Sequence, residues 1–299
     1  MRPMLGHIRK AGTMESVPQS QDPRAEHRRL YPRVTSFRSR RASLTPAQQL
    51  AMDTGWDTLG RDIPPARPVE AFPAETPGPR PGATVASPVP DTQPDRTFPA
   101  PSHPLDAAAW FGREAPLVVE IGSGTGTSTW AMAQAEPDLD VVAVEVYLPG
   151  IAQLVGAVQR ADLTNVRVVR GDGVAMLEDM VAPGSLTGVR VYFPDPWPKA
   201  RHHKRRLLSG RMFALIADRL RVGGILHVAT DHADYAEAIA ETAPSEPLLR
   251  PVALPPRLAD AGLPISVDRP VTKFQDKAAQ VGREIHEFVW ERVEEGEVP

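Results

Sequence analysis

Short apolar runs alternating with helical patterns after Leu105 predict an α/β fold, a doubly wound and mostly parallel sheet, in this 299-residue chain. Two further observations support it. Each run is rich in β-branched residues and almost continuously apolar, as central strands covered on both faces are. A glycine-rich turn directly follows the first run.

In chain order, the strands are expected at Leu117 to Ile121, Val141 to Glu145, Val166 to Arg170, Val189 to Phe193 and Ile225 to Thr230. Helical patterns lie between them. The clearest has Leu208, Met212, Ile216 and Leu220 at a spacing of four, hence on one face, with Gly223-Gly224 as its stop. Repeated strand, helix, strand units give right-handed crossovers, and ligands of such sheets bind outside the carboxyl ends of the strands. A small antiparallel addition is expected from Leu248 to Trp290.

The chain before this domain reads differently. Of 33 prolines, 13 fall between Pro64 and Pro104, where large apolar residues are few, so residues 63–104 are expected to be a disordered linker. Between Arg24 and Arg41 stand seven arginines against one acid, Glu26, with Tyr31 and Phe37 interleaved. Residues 30–62 are therefore read as a flexible basic arm after a disordered tail of residues 1–29, and residues 105–295 as the folded domain. Within the arm, Thr45 as N-cap and Pro46 at the first helical position open a short helix through Met52.

The formal charge of -3 disfavours a uniformly basic binder but hides local clusters of opposite sign. There is no cysteine, which excludes disulfides and thiolate metal sites. Neither a signal peptide nor a run of about 20 apolar residues is present, and a cytoplasmic protein without membrane attachment is expected.

Chemistry is concentrated at the strand ends. Val119 to Gly126 holds a G-x-G-x-G turn whose glycines, Gly122 and Gly124 first, let the backbone approach a ligand. A dinucleotide fingerprint wants its third glycine where Thr127 stands, which disfavours NAD. Glu145, 23 residues after Gly122, is placed to accept hydrogen bonds from ribose hydroxyls. Asp172, between Gly171 and Gly173, is placed to accept from an adenine amino group, and Glu120 to meet an ammonium. Three carboxylates around a glycine turn suit a ligand with amine and hydroxyl donors and no phosphate, and S-adenosylmethionine is such a ligand.

The fourth strand ends in Tyr192 to Lys199, where three prolines at alternate positions hold Asp195 in a stiff loop. A carboxylate there can pair with the N1 and amino donors of guanine, and its aromatic neighbours offer a stacking face. Lys199 to Arg206 follows with five cations, two histidines and no acid, suited to phosphate contacts beside a site that works on a base. Adjacent His202 and His203 point apart on any regular element and have no carboxylate cluster near them, so no metal site is expected.

Together V-E-I-G-S-G-T-G (119–126), A-V-E-V (143–146), Y-F-P-D-P-W-P-K-A-R-H-H-K-R-R (192–206), A-T-D (229–231) and R-P-V-T-K-F (269–274) resemble the bacterial tRNA (guanine-N7)-methyltransferase family. The resemblance spans about Phe111 to Arg292, and the arm through Thr45 looks like that family's N-terminal RNA-contacting segment. It implies a class I S-adenosylmethionine-dependent methyltransferase domain that modifies guanine N7 in the variable loop of tRNA, with no metal and no obligatory protein partner. It also implies that Glu120, Gly122, Gly124, Glu145, Asp172 and Asp195 bind the cofactor, with Asp195 catalytic as well. Lys199, Asp231, Thr272, Lys273, Phe274 and Gln275 would contact the substrate, and Arg201, His202, His203, Lys204, Arg205 and Arg206 the RNA. Gln275 stands where the family usually has glutamate, which puts one substrate contact in question. The proline-rich stretch resembles nothing in that family. A base-amino methyltransferase, a non-catalytic tRNA-binding protein and a nicotinamide oxidoreductase are the alternatives. The order of the Pro-Asp-Pro-Trp loop, the intact carboxylates and Thr127, respectively, argue against them.

Overall fold

A computed structural model describes residues 43–64, 97–254, 262–270 and 282–296. Within these residues an eight-stranded sheet runs in the order β1-β4-β3-β2-β5-β6-β8-β7. The five expected strands are its centre: β2 (Leu117–Ile121), β3 (Asp140–Glu145), β4 (Val166–Arg170), β5 (Leu186–Tyr192) and β6 (Leu220–Thr230). All pair in parallel, with the order reversing between β2 and β5.

The continuous apolar runs have a direct structural cause. Alternate residues of a strand face opposite sides, so Val119, Ile121, Val142 and Val144 enter one core layer while Val118, Val141 and Ala143 enter the other. Helices α3 (Thr127–Ala135) and α4 (Leu148–Arg160) follow β2 and β3, and α5 (Gly173–Met180) and α6 (Gly210–Arg219) follow β4 and β5. With a layer on each face, β2, β3 and β5 are buried along their whole length, and β6 is buried from Ile225 to Thr230.

Four boundaries differ from expectation. The expected linker 63–104 is ordered at both ends: Ile63 is buried and its N donates to the Arg170 carbonyl at 3.1 Å, Phe98 packs on the core, and Ser102 Oγ and His103 N donate to Asp179. Helix α1 runs from Pro46 to Leu59, past Met52, because Ala51, Gly55 and Leu59 recur every fourth residue and are buried. A capping box opens it: Thr45 Oγ1 accepts from Gln48 N at 3.3 Å, and Gln48 Oε1 accepts from Thr45 N at 3.0 Å. Strand β1 (Gly60–Asp62) then pairs with β4, so residues 46–62, expected within a flexible arm, form part of the sheet and one of its layers.

The helix built on Met212 and Ile216 begins at Gly210 after Ser209, whose hydroxyl caps it, and ends at Arg219. Gly223-Gly224 does not stop it. Leu220 already belongs to β6, where the pairing with β5 slips between Leu186 and Gly188. Gly223, at φ 74°, lies in this irregular stretch, and a Cβ on Gly224 would sit 2.8 Å from the Arg221 carbonyl oxygen.

The antiparallel addition is present as β8 (His286–Arg292), paired with β6, and β7 (Leu249–Pro251), paired with β8. Helix α2 (Ala107–Phe111) precedes β2, and α7 (Ala233–Thr242) follows β6. Among the described residues no helix is long and apolar enough to cross a membrane.

Candidate active site at the carboxyl ends of the strands

The reversal between β2 and β5 sets two loops side by side: the glycine turn after Ile121 and the proline loop after Tyr192. Glu145 ends β3, Asp172 follows β4 and Asp231 follows β6, so the topology brings all of these to one edge.

The glycine turn is built for close approach. Gly122 and Gly124 have φ of 78° and 59°, and a Cβ on either would meet nothing of the protein within 4 Å. Behind the turn packing is tight, since a Cβ on Gly150 of α4 would lie 2.1 Å from the Gly124 carbonyl oxygen. Glu145 ties the pieces together: one oxygen accepts from Gly124 N at 2.7 Å, the other from Val146 N at 2.6 Å and Tyr147 N at 2.8 Å. These bonds fix the Glu145 carboxylate beside the turn, at the carboxyl end of β3.

Glu120 is buried in the middle of the sheet, and its Oε2 has no hydrogen-bond partner among the described residues. Burial pushes its carboxyl up to about 7 against the opposing pull of the Arg190 guanidinium. An acceptor held in this way suits a cationic ligand group, which would supply both the charge and the donor that it lacks. Ser123 Oγ, in the turn itself, is also buried and has no hydrogen-bond partner among the described residues. The open space over two glycines and these unpartnered atoms fit the amine and hydroxyl groups of S-adenosylmethionine. Asp172 has a local duty as well, since its Oδ1 caps α5 by accepting from Val174 N at 3.0 Å and Ala175 N at 3.1 Å.

The proline loop is strained on both sides of Asp195. Phe193 at φ 50° and Trp197 at φ 44° are left-handed without being glycine. Phe193 N donates to the Ala229 carbonyl at 2.7 Å, Trp197 is buried, and Asp195 between them is half-buried. Burial pushes the Tyr235 hydroxyl of α7 up to about 12, and the nearby Asp195 carboxylate adds to the rise.

Asp231 pairs with Arg283 at 2.9 Å. In the basic run Lys199, Arg201, Lys204 and Arg205 are exposed, and His202 and His203 are half-buried. Arg206, expected among the RNA contacts, has different surroundings: its side chain is 8% exposed, donates to the Pro196 carbonyl at 2.9 Å and pairs with Asp234. Thr272, Lys273, Phe274 and Gln275 lie outside the described residues, as do the arginines of the arm and most of the proline-rich stretch. Among the described residues no group of His, Asp and Glu has the arrangement of a metal site.

A buried polar network beneath the site was not read from the sequence. Arg190 of β5, fully buried, pairs with Glu136 at 2.6 Å, and Glu136 accepts from Ser266 N at 2.6 Å. Tyr192 and His227 Nδ1 are 2.9 Å apart, His227 Nε2 lies 3.5 Å from Glu287, and Glu287 pairs with Arg269 at 2.6 Å. Burial pushes the Tyr192 hydroxyl up and the His227 imidazole down. The available signal was one large polar side chain inside an apolar run: Arg190 in β5 and His227 in β6.

Residues 114–288 match a family model described as a putative methyltransferase. A tRNA (guanine-N(7)-)-methyltransferase of Rhodococcus jostii is 51% identical over 265 residues, covering 89% of this chain and 86% of that protein. Another, of Nocardia farcinica, is 52% identical over 270 residues, covering 89% and 87%. One of Mycobacterium avium is 47% identical over 286 residues, covering 96% and 97%. Among solved structures, the 16S rRNA methyltransferase KamB aligns with a TM-score of 0.45 at 14% identity, covering 64% of this chain and 95% of that one.

Proposed function

The chain belongs to the tRNA (guanine-N7)-methyltransferase family, and from that premise we propose how its own residues carry the reaction. It is an S-adenosylmethionine-dependent enzyme that methylates guanine N7 in tRNA. The observation that best supports the residue assignment is the pairing of an open glycine turn, backed by Glu120 and Glu145, with a strained loop presenting Asp195 on the neighbouring strand.

S-adenosylmethionine supplies a methyl group made electrophilic by its sulfonium. Gly122 and Gly124 give it room, Glu145 receives the ribose hydroxyls, Glu120 the ammonium, and Asp172 the adenine amino group. Asp195 has two partners, the cofactor on one side and the guanine base on the other. N7 carries a lone pair and no proton, so no general base is required as it bonds to the methyl carbon while the carbon–sulfur bond breaks and its electron pair returns to sulfur, leaving a neutral thioether. As the base becomes cationic, the Asp195 carboxylate stabilises the developing charge and keeps the ring in register. The acceleration therefore comes from alignment and electrostatics.

Lys199 and Asp231 are assigned to the base-binding side, and by the family resemblance so are residues 272–275. Arg201, Lys204 and Arg205 face outward, where they can hold phosphates, and the N-terminal arginines grip a second part of the same tRNA. The target is a guanine of the variable loop, and the compartment is the cytoplasm, where that substrate is found.

Complementation of a deletion strain tests this reading. Nucleoside analysis of its tRNA should show 7-methylguanosine restored by the wild-type gene and not by Asp195→Asn, with both proteins melting alike. Restoration by Asp195→Asn would remove Asp195 from catalysis.

A further inference from the structure

Arg206 is the last of five cations in the basic run, yet its surroundings differ from those of its neighbours. The 3-10 turn Ala200–Arg205 keeps Arg201, Lys204 and Arg205 at the surface. Arg206 then leaves the turn in extended conformation, with φ -58° and ψ 135°, and its side chain heads inward. There the guanidinium lies 4.8 Å over the ring of Tyr235, which is fully buried and whose hydroxyl accepts from Leu208 N at 3.0 Å. One edge pairs with Asp234, and Nε donates to the Pro196 carbonyl at 2.9 Å.

Pro196 directly follows Asp195. The three prolines of this loop have no N–H to donate, so the loop cannot hold its own shape by backbone hydrogen bonds from those positions. Two of its residues are strained, Phe193 and Trp197. Such a loop needs donors from outside, and Arg206 is one, itself fixed by a carboxylate and an aromatic face from α7. A planar guanidinium can meet all three partners at once, whereas an ammonium is a single point of charge.

We propose that Arg206 is a positioning residue for the catalytic loop, holding the Pro196 carbonyl through a guanidinium fixed by Asp234 and Tyr235, and that it does not bind tRNA phosphate. The inference rests on the proposed function, because it needs Asp195 to be the group that the loop presents. It separates Arg206 from the outward cations beside it, which sequence alone groups together.

The test combines equilibrium binding with turnover. Labelled tRNA is titrated with wild type, Arg206→Gln, Arg206→Lys, Asp234→Asn and, for comparison, Arg201→Ala and Lys204→Ala, by anisotropy over a series of salt concentrations. Removing one cation that holds a phosphate should flatten the slope of log K against log salt by about 0.7 to 0.9. Arg201→Ala and Lys204→Ala should show that change. The Arg206 and Asp234 variants should keep the wild-type slope and affinity, with kcat at saturating tRNA lower by roughly tenfold to a hundredfold. Lysine at 206 should not restore kcat, although it would serve a phosphate well.

A flatter slope in Arg206→Gln that lysine restores would overturn the inference, as would wild-type kcat in Asp234→Asn. Asp234 is on the surface, with 54% of its side chain exposed, so its variant stays informative if the Arg206 variants fold poorly. Wild-type protein that makes no 7-methylguanosine would sink the proposed function instead, an outcome distinct from either of these.

Discussion

Phe193 and Trp197 both stand in left-handed backbone, at φ 50° and 44°, with Asp195 midway between them. Each ring carries a guanidinium at 4.9 Å, Arg269 over Phe193 and Arg205 over Trp197. A non-glycine residue in that region costs about 1–2 kcal/mol, and strain kept on both sides of one carboxylate marks the segment whose shape matters most. The ring contacts, the Phe193 bond to Ala229 and the Arg206 bond to Pro196 help to hold it.

Phe193→Gly should therefore affect activity more than stability. Glycine relieves the backbone strain, offsetting the removal of the ring to within about 1 kcal/mol, but it also frees the loop. A urea midpoint near wild type with kcat lower by roughly tenfold is expected. Wild-type kcat in this variant would show that the loop needs no stiffening there.

The glycine turn makes a paired prediction. Alanine at 122 or 124 fits the protein's own packing, so only the backbone penalty of about 1–2 kcal/mol should appear in unfolding. Affinity for S-adenosylhomocysteine, read by calorimetry, should fall at least about tenfold because the methyl enters the ligand's space. Gly126→Ala should be less stable than either, since its Cβ would lie 2.4 Å from Leu154. Equal stability losses at all three positions, or unchanged affinity, would count against this picture of the turn.

Most of the sheet was legible because β-branched runs covered on both faces leave an unbroken apolar signature, as in Val141 to Val144. The loops were legible because their glycines and prolines have few other uses at strand ends. Strand β1 was not: Gly60, Arg61 and Asp62 have no apolar character, and only pairing with β4 makes them a strand. Nor was the direction of Arg206, because five cations in a row look alike until Asp234 and Tyr235 are brought up from α7. The slip in β6 was hidden for a similar reason, since a glycine pair after a helical pattern reads as a stop whether it ends a helix or lies in an irregular strand.

Cofactor binding should depend on pH through Glu120. Its carboxyl sits at about 7 in the ligand-free protein, raised by burial while Arg190 opposes and Glu145 adds to the rise. An ammonium ligand favours the ionised form, so binding below about pH 7 must release a proton, and affinity should weaken up to about tenfold per unit as pH falls. For folding the sign is the reverse. A carboxyl raised in the folded state contributes stability at low pH that is lost as pH rises from 4.5 through about 7. Glu120→Gln should flatten both profiles. Calorimetry in buffers of different ionisation enthalpy would show the proton release, and its absence at pH 6 would mean that Glu120 is already ionised.

The atom that receives the methyl group is the most direct point of attack. Purified protein, S-adenosylmethionine and two otherwise identical unmodified tRNAs, one with guanine and one with 7-deazaguanine at the target position, can be compared by mass spectrometry. Transfer of one methyl to the guanine tRNA and none to the deaza tRNA, with both bound equally well, is the expected result. Methylation of the deaza tRNA at the same position would contradict it, because a base without N7 offers that lone pair nowhere.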